Sequence, residues 1–253
     1  MLEGYLRARR KQRDILVMTH IVIGHPDLDT SLRLVDAMVS AGVDLIEMQI
    51  PISEPVADGP LISRANRESL RRGVTVDGCF ELATAVAARF DIPFLFMSYY
   101  NVLFKRGVTS FVTRMQEAGL RGAIVPDLPP EEAGEYLAVM QENLLDPIFI
   151  YSPNSNDARL KKIAEYARGF IYCVARKGVT GSATAFSTDL AGYLERARAA
   201  TSLPLAVGFG VKEKADVDFL RGKADIAVIG SETLRVLERG GVAAVGPFLS
   251  GLR

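Results

Sequence analysis

Short apolar segments alternate with longer amphipathic ones along most of the chain, a pattern typical of strands that alternate with helices. The apolar segments predict eight strands, at residues 15–23, 45–50, 93–99, 122–126, 147–151, 170–175, 204–208 and 225–230. The amphipathic segments predict helices at residues 30–41, 76–90, 109–118, 131–143, 158–166, 190–201 and 213–220. Glycine or proline stands at most of the junctions, where the chain has to turn.

Eight strand–helix units in 253 residues match the size of a single (β/α)8 barrel, the TIM barrel. A doubly wound open α/β sheet is the competing arrangement. No change of composition marks a linker, so we expect a single domain over residues 1–253. In a barrel the chemistry lies at the carboxyl ends of the strands, and the polar and glycine-rich segments of this chain follow the predicted strands.

Composition narrows the class of protein. Lys and Arg number 30 and Asp and Glu number 30, and this zero formal charge argues against a nucleic-acid binder that neutralises phosphates. We expect no signal peptide, and no apolar run comes near the about 20 residues that cross a bilayer. Cys79 and Cys173 are too few for a disulfide framework, and with only His20 and His25 as imidazoles we expect no metal site. We therefore expect a cytoplasmic protein.

Two carboxylates are candidates for catalysis. In the strand at 45–50, side-chain alternation places Glu47 on the face opposite to Ile46 and Met48. The outer face of a barrel strand packs on helices, so Glu47 should point into the barrel, where a carboxyl group can act as both acid and base. A structural glutamate paired with a neighbouring donor is an equal alternative. Asp58 could fold over the barrel mouth and accept a hydrogen bond from a substrate, although a simple turn aspartate is the commoner use.

Glycine-bearing segments after the last three predicted strands indicate a phosphate site. These segments are residues 178–181, 208–210 and 230–231, and the last of them opens a short helix. Barrels commonly bind phosphate at this place with backbone N–H groups and a helix N-terminus. Ordinary turn glycines are the alternative.

Three other features have a structural explanation at least as good as a functional one. Tyr172 in the sixth strand could offer its hydroxyl to a ligand or simply pack in the core. His20, within the first strand, is more often a hydrogen-bonded core histidine than a catalyst. The basic run at residues 7–13 is more typical of a solvated helix face than of a binding patch.

Together these segments resemble the alpha subunit of tryptophan synthase. The most specific stretch is residues 51–60, P-I-S-E-P-V-A-D-G-P, which is similar to that family's loop after strand two, P-F-S-D-P-x-A-D-G-P. The other matches are Y-Y-N at 99–101, D-L-P at 127–129, R-K-G-V-T-G at 176–181, G-F-G at 208–210 and G-S at 230–231. Their order and spacing fit over nearly the whole chain.

The resemblance implies a (β/α)8 barrel that cleaves indole-3-glycerol phosphate to indole and glyceraldehyde 3-phosphate, a retro-aldol reaction with no cofactor in this chain. It implies that Glu47 carries protons between the glycerol hydroxyl and indole C3, and that Asp58 holds the indole N–H. The substrate-binding positions that it implies are Tyr172, Thr180, Gly181, Phe209, Gly210, Gly230 and Ser231.

The resemblance also implies a partner, a beta subunit that uses pyridoxal phosphate to join indole to serine, in an αββα heterotetramer with an internal indole tunnel. The partner contacts that it implies are Glu54, Pro55 and Asn101. Three other functions remain open. The chain could be a free-standing indole-releasing lyase, a non-catalytic subunit that activates a beta partner, or a barrel that acts on another phosphorylated substrate.

Four positions depart from the family pattern. Gln49 replaces a glycine on the inward face of strand two, so it should crowd or hydrogen-bond the site. Ile52 replaces a phenylalanine, Glu54 replaces an aspartate that faces the beta subunit, and His25 replaces the aspartate of a Gly-Asp-Pro sequence. These changes bear on partner contact and substrate fit more than on the reaction, because both candidate carboxylates remain.

Overall fold

The chain folds into a closed barrel of eight parallel strands in a computed structural model that describes residues 2–174, 188–208 and 210–253. The strands follow one another around the barrel in chain order, and the last pairs with the first. They are β1 Leu16–Val22, β2 Leu45–Gln49, β3 Phe94–Met97, β4 Gly122–Ile124, β5 Asp146–Tyr151, β6 Ile171–Val174, β7 Leu205–Gly208 and β8 Ile226–Ile229. Closure of the barrel confirms the predicted fold and excludes the doubly wound open sheet.

Twelve α-helices lie within the described residues, most of them packed around the barrel. They are α1 Leu2–Arg10, α2 Leu28–Ser40, α3 Pro60–Arg71, α4 Val76–Arg89, α5 Tyr100–Arg106, α6 Val108–Glu117, α7 Gly134–Glu142, α8 Asp157–Tyr166, α9 Thr188–Ala200, α10 Lys214–Leu220, α11 Ser231–Gly240 and α12 Val242–Ser250. A 3₁₀-helix, Pro130–Glu132, precedes α7. None of the described helices combines the length and the apolar character needed to cross a membrane.

The eight predicted strands are confirmed, most of them slightly shorter than predicted. The predicted helices are confirmed as well, except that the segment 131–143 is divided between the 3₁₀-helix and α7. Helices α3, α5 and α12 were not predicted, and α1 and α11 were expected without bounds, from the helix face at 7–13 and the short helix after 230. Helices α1 and α5 are only 9 and 7 residues long, which weakens an apolar period, although α7 and α10 were predicted at the same lengths. Helix α3 begins at Pro60, where proline is favourable because the first helical N–H has no partner to lose.

The barrel has two apolar layers because successive strand residues point to opposite sides. The outer layer lies between strands and helices and includes Val17, Ile46 and Met48. The inner layer fills the barrel and includes Leu16, Met18, Leu45, Leu95, Ile148, Phe170 and Ile226. Leu2 and Leu6 of α1 belong to this inner layer, so α1 closes the amino-terminal end of the barrel.

Arginines of the amino-terminal segment attach it to the base of the barrel. Arg9 and Arg13 lie 3.0 and 2.8 Å from Oδ1 of Asp44, a fully buried carboxylate just before β2. The other oxygen of Asp44 accepts a hydrogen bond from the backbone N–H of Val17 at 2.9 Å. The interpretation of residues 7–13 as a solvated helix face is therefore wrong for these two arginines. Their partner is distant in sequence, and helical spacing carries no signal of it.

Candidate active site

A cavity lies at the open end of the barrel, where the carboxyl ends of the strands meet. Barrels carry their active sites at this end, where the loops that follow the eight strands build them. Six of the predicted site residues line this one cavity: Glu47, Asp58, Tyr172, Gly210, Gly230 and Ser231. The structure thus brings both candidate carboxylates and the described part of the predicted phosphate site into one space.

Glu47 lies on β2 with its side chain buried inside the barrel. Its Oε1 is 2.7 Å from Nδ1 of His20, and the two residues are directly opposite in the register of β1 and β2. Its Oε2 is buried and has no hydrogen-bond partner among the described residues. One carboxylate oxygen is therefore held by the protein and the other is left for a ligand.

His20 lines the same cavity and is only 2% exposed. Burial alone would lower its pKa, but the hydrogen bond and the charge of Glu47, together with the charge of Asp58, outweigh burial and raise the pKa of His20 above its ordinary value. His20 is thus the buried, hydrogen-bonded histidine that the sequence predicts, and the structure adds that it lines the cavity. A signal was available, because His20 continues the inward alternation of Leu16 and Met18.

A hydrogen-bond network holds Asp58 over the mouth of the barrel. Its Oδ2 accepts hydrogen bonds from Nε2 of Gln49 at 2.6 Å and from the Tyr99 hydroxyl at 3.2 Å. The Tyr99 oxygen in turn accepts from the backbone N–H of Ala57 at 3.0 Å. Gln49, which departs from the family glycine, therefore hydrogen-bonds the site. Burial raises the pKa of Asp58, and the opposing hydrogen bond from Gln49 and charge of His20 reduce this shift without cancelling it.

Tyr172 of β6 lies across Gly208 of β7 at the wall of the cavity. A Cβ atom on Gly208 would be 2.5 Å from Cζ of the Tyr172 ring, so only glycine leaves room for the ring at this position. Burial, reinforced by the charges of Glu47 and Asp58, raises the pKa of Tyr172 well above its ordinary value. The hydroxyl therefore stays protonated and can donate a hydrogen bond into the cavity.

We expect Gly208→Ala to displace the Tyr172 ring, and overpacking of this kind costs about 1–3 kcal/mol of unfolding free energy. Urea unfolding measures that loss. Gly192→Ala is the matched control, because Gly192 lies in α9 and a Cβ there meets nothing within 4 Å. The control should be neutral or slightly stabilised, since alanine favours a helix. Equal stability of the two variants would contradict this account of Gly208.

The far side of the cavity is suited to an anion. Ser231 is the first residue of α11, and the N-terminus of a helix attracts negative charge. Gly210 has φ +99°, a conformation that favours glycine. Lys212 and Arg235 also line this side, and Arg235 lies 2.7 Å from Glu232. Neither cation was predicted as a site residue, because both fall outside the glycine-bearing segments 178–181, 208–210 and 230–231.

The predicted partner contacts divide into exposed and buried residues. Glu54 and Asn101 are exposed, whereas Pro55 is buried. Its neighbour Val56 is 71% exposed, as is Phe104 of α5 at 70%. Both belong to segments that follow strands of the barrel, so they lie at the same end as the cavity. Of the predicted substrate-binding positions, Thr180, Gly181 and Phe209 lie outside the described residues.

The remaining departures from the family pattern lie outside the cavity lining. Nδ1 of His25 is 3.3 Å from Glu68, and burial lowers the pKa of His25. The backbone N–H of Ile52 donates to Asn66 at 2.9 Å. In the part of the chain that the structure describes, no group of three or more His, Cys, Asp or Glu side chains could hold a metal ion.

Comparison with known proteins gives one consistent family. The tryptophan synthase alpha chain family matches residues 6–244. A tryptophan synthase alpha chain from Syntrophotalea carbinolica is 61% identical over 253 residues, which are all of both chains. A structure of Mycobacterium tuberculosis tryptophan synthase has a TM-score of 0.92 at 31% identity and covers 99% of this chain and 96% of its own. A tryptophan synthase complex from Pyrococcus furiosus has a TM-score of 0.85 at 26% identity, with 94% and 97% covered.

Proposed function

The chain belongs to the tryptophan synthase alpha chain family, and from that premise we propose that its barrel cavity is the active site, with Glu47 and Asp58 as the catalytic residues. The enzyme is a lyase that cleaves indole-3-glycerol phosphate to indole and glyceraldehyde 3-phosphate. One observation carries the assignment of residues. Glu47, with one unpartnered buried oxygen, and Asp58 line the same cavity, whose far side is suited to a phosphate.

The reaction moves one proton and breaks one carbon–carbon bond. Indole C3 gains a proton, the glycerol hydroxyl loses one, and the electrons of the broken bond return to the ring as the aldehyde forms. Oε2 of Glu47 gives the first proton and takes the second, so the enzyme ends as it began. Asp58 accepts the indole N–H and stabilises the positive charge that develops on the ring nitrogen.

The rest of the cavity orients the substrate. The Tyr172 hydroxyl donates to the substrate from the wall opposite the carboxylates. The backbone N–H groups at Gly210, Gly230 and Ser231 bind the phosphate, with the charges of Lys212 and Arg235 beside them. Thr180, Gly181 and Phe209 stay predictions, because they lie outside the described residues.

The partner is a tryptophan synthase beta subunit, and the proposed contact surface lies around the barrel mouth. Glu54, Val56, Asn101 and Phe104 form this surface. Val56 and Phe104 expose apolar area that a partner would cover. In the proposed αββα assembly, pyridoxal phosphate belongs to the beta subunit, and this chain needs no cofactor of its own. The function therefore requires two proteins for tryptophan synthesis and one for indole release.

Steady-state release of indole from indole-3-glycerol phosphate tests this function. We expect the purified chain to release indole alone, and the rate to rise when a beta subunit is added. Phe104→Ser should reduce that rise, because it removes an apolar contact. Leu144→Ser is the matched control. Leu144 is 81% exposed but lies between α7 and β5, at the opposite end of the barrel.

The outcomes of this assay distinguish the proposed lyase from the alternative functions. No indole release with or without the beta subunit would overturn the lyase proposal and favour a non-catalytic subunit. Release at a rate that the beta subunit leaves unchanged would favour a free-standing lyase. Equal effects of the two serine variants would contradict the proposed contact surface.

A further inference from the structure

His20 forms a buried pair with Glu47, and the proposed mechanism gives His20 no role. We propose that His20 is a positioning residue for Glu47: its Nδ1–H holds Oε1, so that Oε2 is the oxygen that exchanges protons with the substrate. This inference rests on the proposed function of the cavity. It assigns a role to His20, whose position in the cavity the proposed roles of Glu47 and Asp58 do not explain.

Strand pairing fixes the position of the two residues. His20 and Glu47 come from adjacent strands in direct register, and both side chains are buried. A Cβ added to Gly230 would be 3.8 Å from the Cβ of His20, so the end of β8 closes the space beside the histidine. The 2.7 Å contact therefore determines which carboxylate oxygen is occupied.

The unpartnered atoms point to the same role. Nε2 of His20 and Oε2 of Glu47 are both buried, and neither has a hydrogen-bond partner among the described residues. Buried polar atoms are normally paired, because an unpaired one loses its hydration without compensation. Nδ1 of His20 and Oε1 of Glu47 already contact each other. A substrate in this cavity would supply hydrogen-bond partners for the two remaining atoms.

The surrounding charges favour the pair. The titratable groups that face His20 are Glu47 on β2, Asp58 after β2 and Tyr172 on β6, while Lys212 and Arg235 lie on the anion side of the cavity. Two carboxylates near one imidazole favour its protonated form. This form is populated at low pH and is lost as pH rises through the raised pKa of His20. In either state Nδ1–H can still donate to Glu47.

Kinetic measurements on variants test the role. We expect His20→Leu to lower kcat for indole release about 100-fold, the cost of misplacing a catalytic group by about 1 Å, with a much smaller change in KM. His20→Asn should recover most of that loss, because its amide N–H can replace Nδ1–H. His25→Asn controls for loss of a buried histidine outside the cavity and should keep the wild-type kcat. Circular dichroism checks that each variant is folded.

Proton NMR reads the pair without using activity. The chain has only two histidines, so His20→Asn and His25→Asn assign both ring signals. We expect the His20 titration midpoint to lie above that of a free histidine and to fall in Glu47→Gln. A midpoint that Glu47→Gln leaves unchanged would overturn the pair.

The activity results keep this proposal separate from the function on which it rests. A wild-type chain that releases indole, together with a His20→Leu variant of equal kcat, would overturn the positioning role alone. A folded wild-type chain that releases no indole would overturn the lyase function and this role together.

Discussion

Glu47→Gln is expected to lower kcat for indole release by about 10²- to 10⁴-fold, the usual contribution of a positioned acid–base group. The substitution keeps the size of the side chain and removes its ability to exchange protons. The glutamine oxygen can still accept from Nδ1 of His20, so the buried contact at 2.7 Å has a replacement and the fold should persist. KM should change much less than kcat, because the proposed contacts with the phosphate and the indole N–H are made by other residues of the cavity.

The control for this result is Glu232→Gln. Glu232 lines the same cavity, but it is paired with Arg235 at the anion side, and the proposed mechanism gives it no part in proton exchange. Its loss should leave kcat near the wild-type value and should not weaken phosphate binding. Rapid-quench measurement of a single turnover separates the chemical step from product release. Wild-type turnover in Glu47→Gln would refute the catalytic role of Glu47.

Asp58→Asn is expected to lower kcat by about 10²- to 10³-fold, the typical cost of removing one preorganised electrostatic contact. The asparagine oxygen can still accept from Gln49 and Tyr99, so the mouth of the barrel should keep its shape. What disappears is the negative charge that we propose faces the indole nitrogen. Asp127→Asn is the matched control, since Asp127 accepts a hydrogen bond from Tyr100 outside the cavity lining.

The pH dependence of kcat/KM gives a second test of Asp58. Burial raises the pKa of this carboxyl group, so its ionised form is lost at a higher pH than for a free aspartate as the solution is acidified. If the ionised form is required, wild-type activity falls on the acidic side through this raised pKa. Asp58→Asn should lack that fall. An unchanged acidic limb in the variant would assign it to another group.

The sequence predicted the strands and the inward direction of Glu47 because both depend on local alternation. A barrel strand has an apolar outer face, and this requirement is visible in the six residues at 45–50. The contact of Gln49 with Asp58 required the fold of the loop, which no local period describes. The sequence therefore predicted which side chains line the cavity better than it predicted the contacts that hold them in place.

The contacts that the sequence did not predict share a physical cause. His20 meets Glu47 only because β1 and β2 pair in one register, and Arg9 and Arg13 meet Asp44 only after α1 has docked under the barrel. Such contacts join residues about 30 positions apart, where spacing along the chain carries no information. Even so, a histidine on the inward side of a barrel strand is a candidate site residue in the same way as a glutamate there.

Helix α1 leaves the barrel open only at the carboxyl ends of its strands. Leu2 and Leu6 fill its amino-terminal end, and the buried backbone N–H of Leu2 donates a hydrogen bond to Asp146 at 2.9 Å. Indole formed beside Glu47 would thus have to depart through the rim by which its precursor entered. A beta subunit seated over that rim would receive the departing molecule before bulk water does, so the closed floor gives the barrel a single direction of delivery.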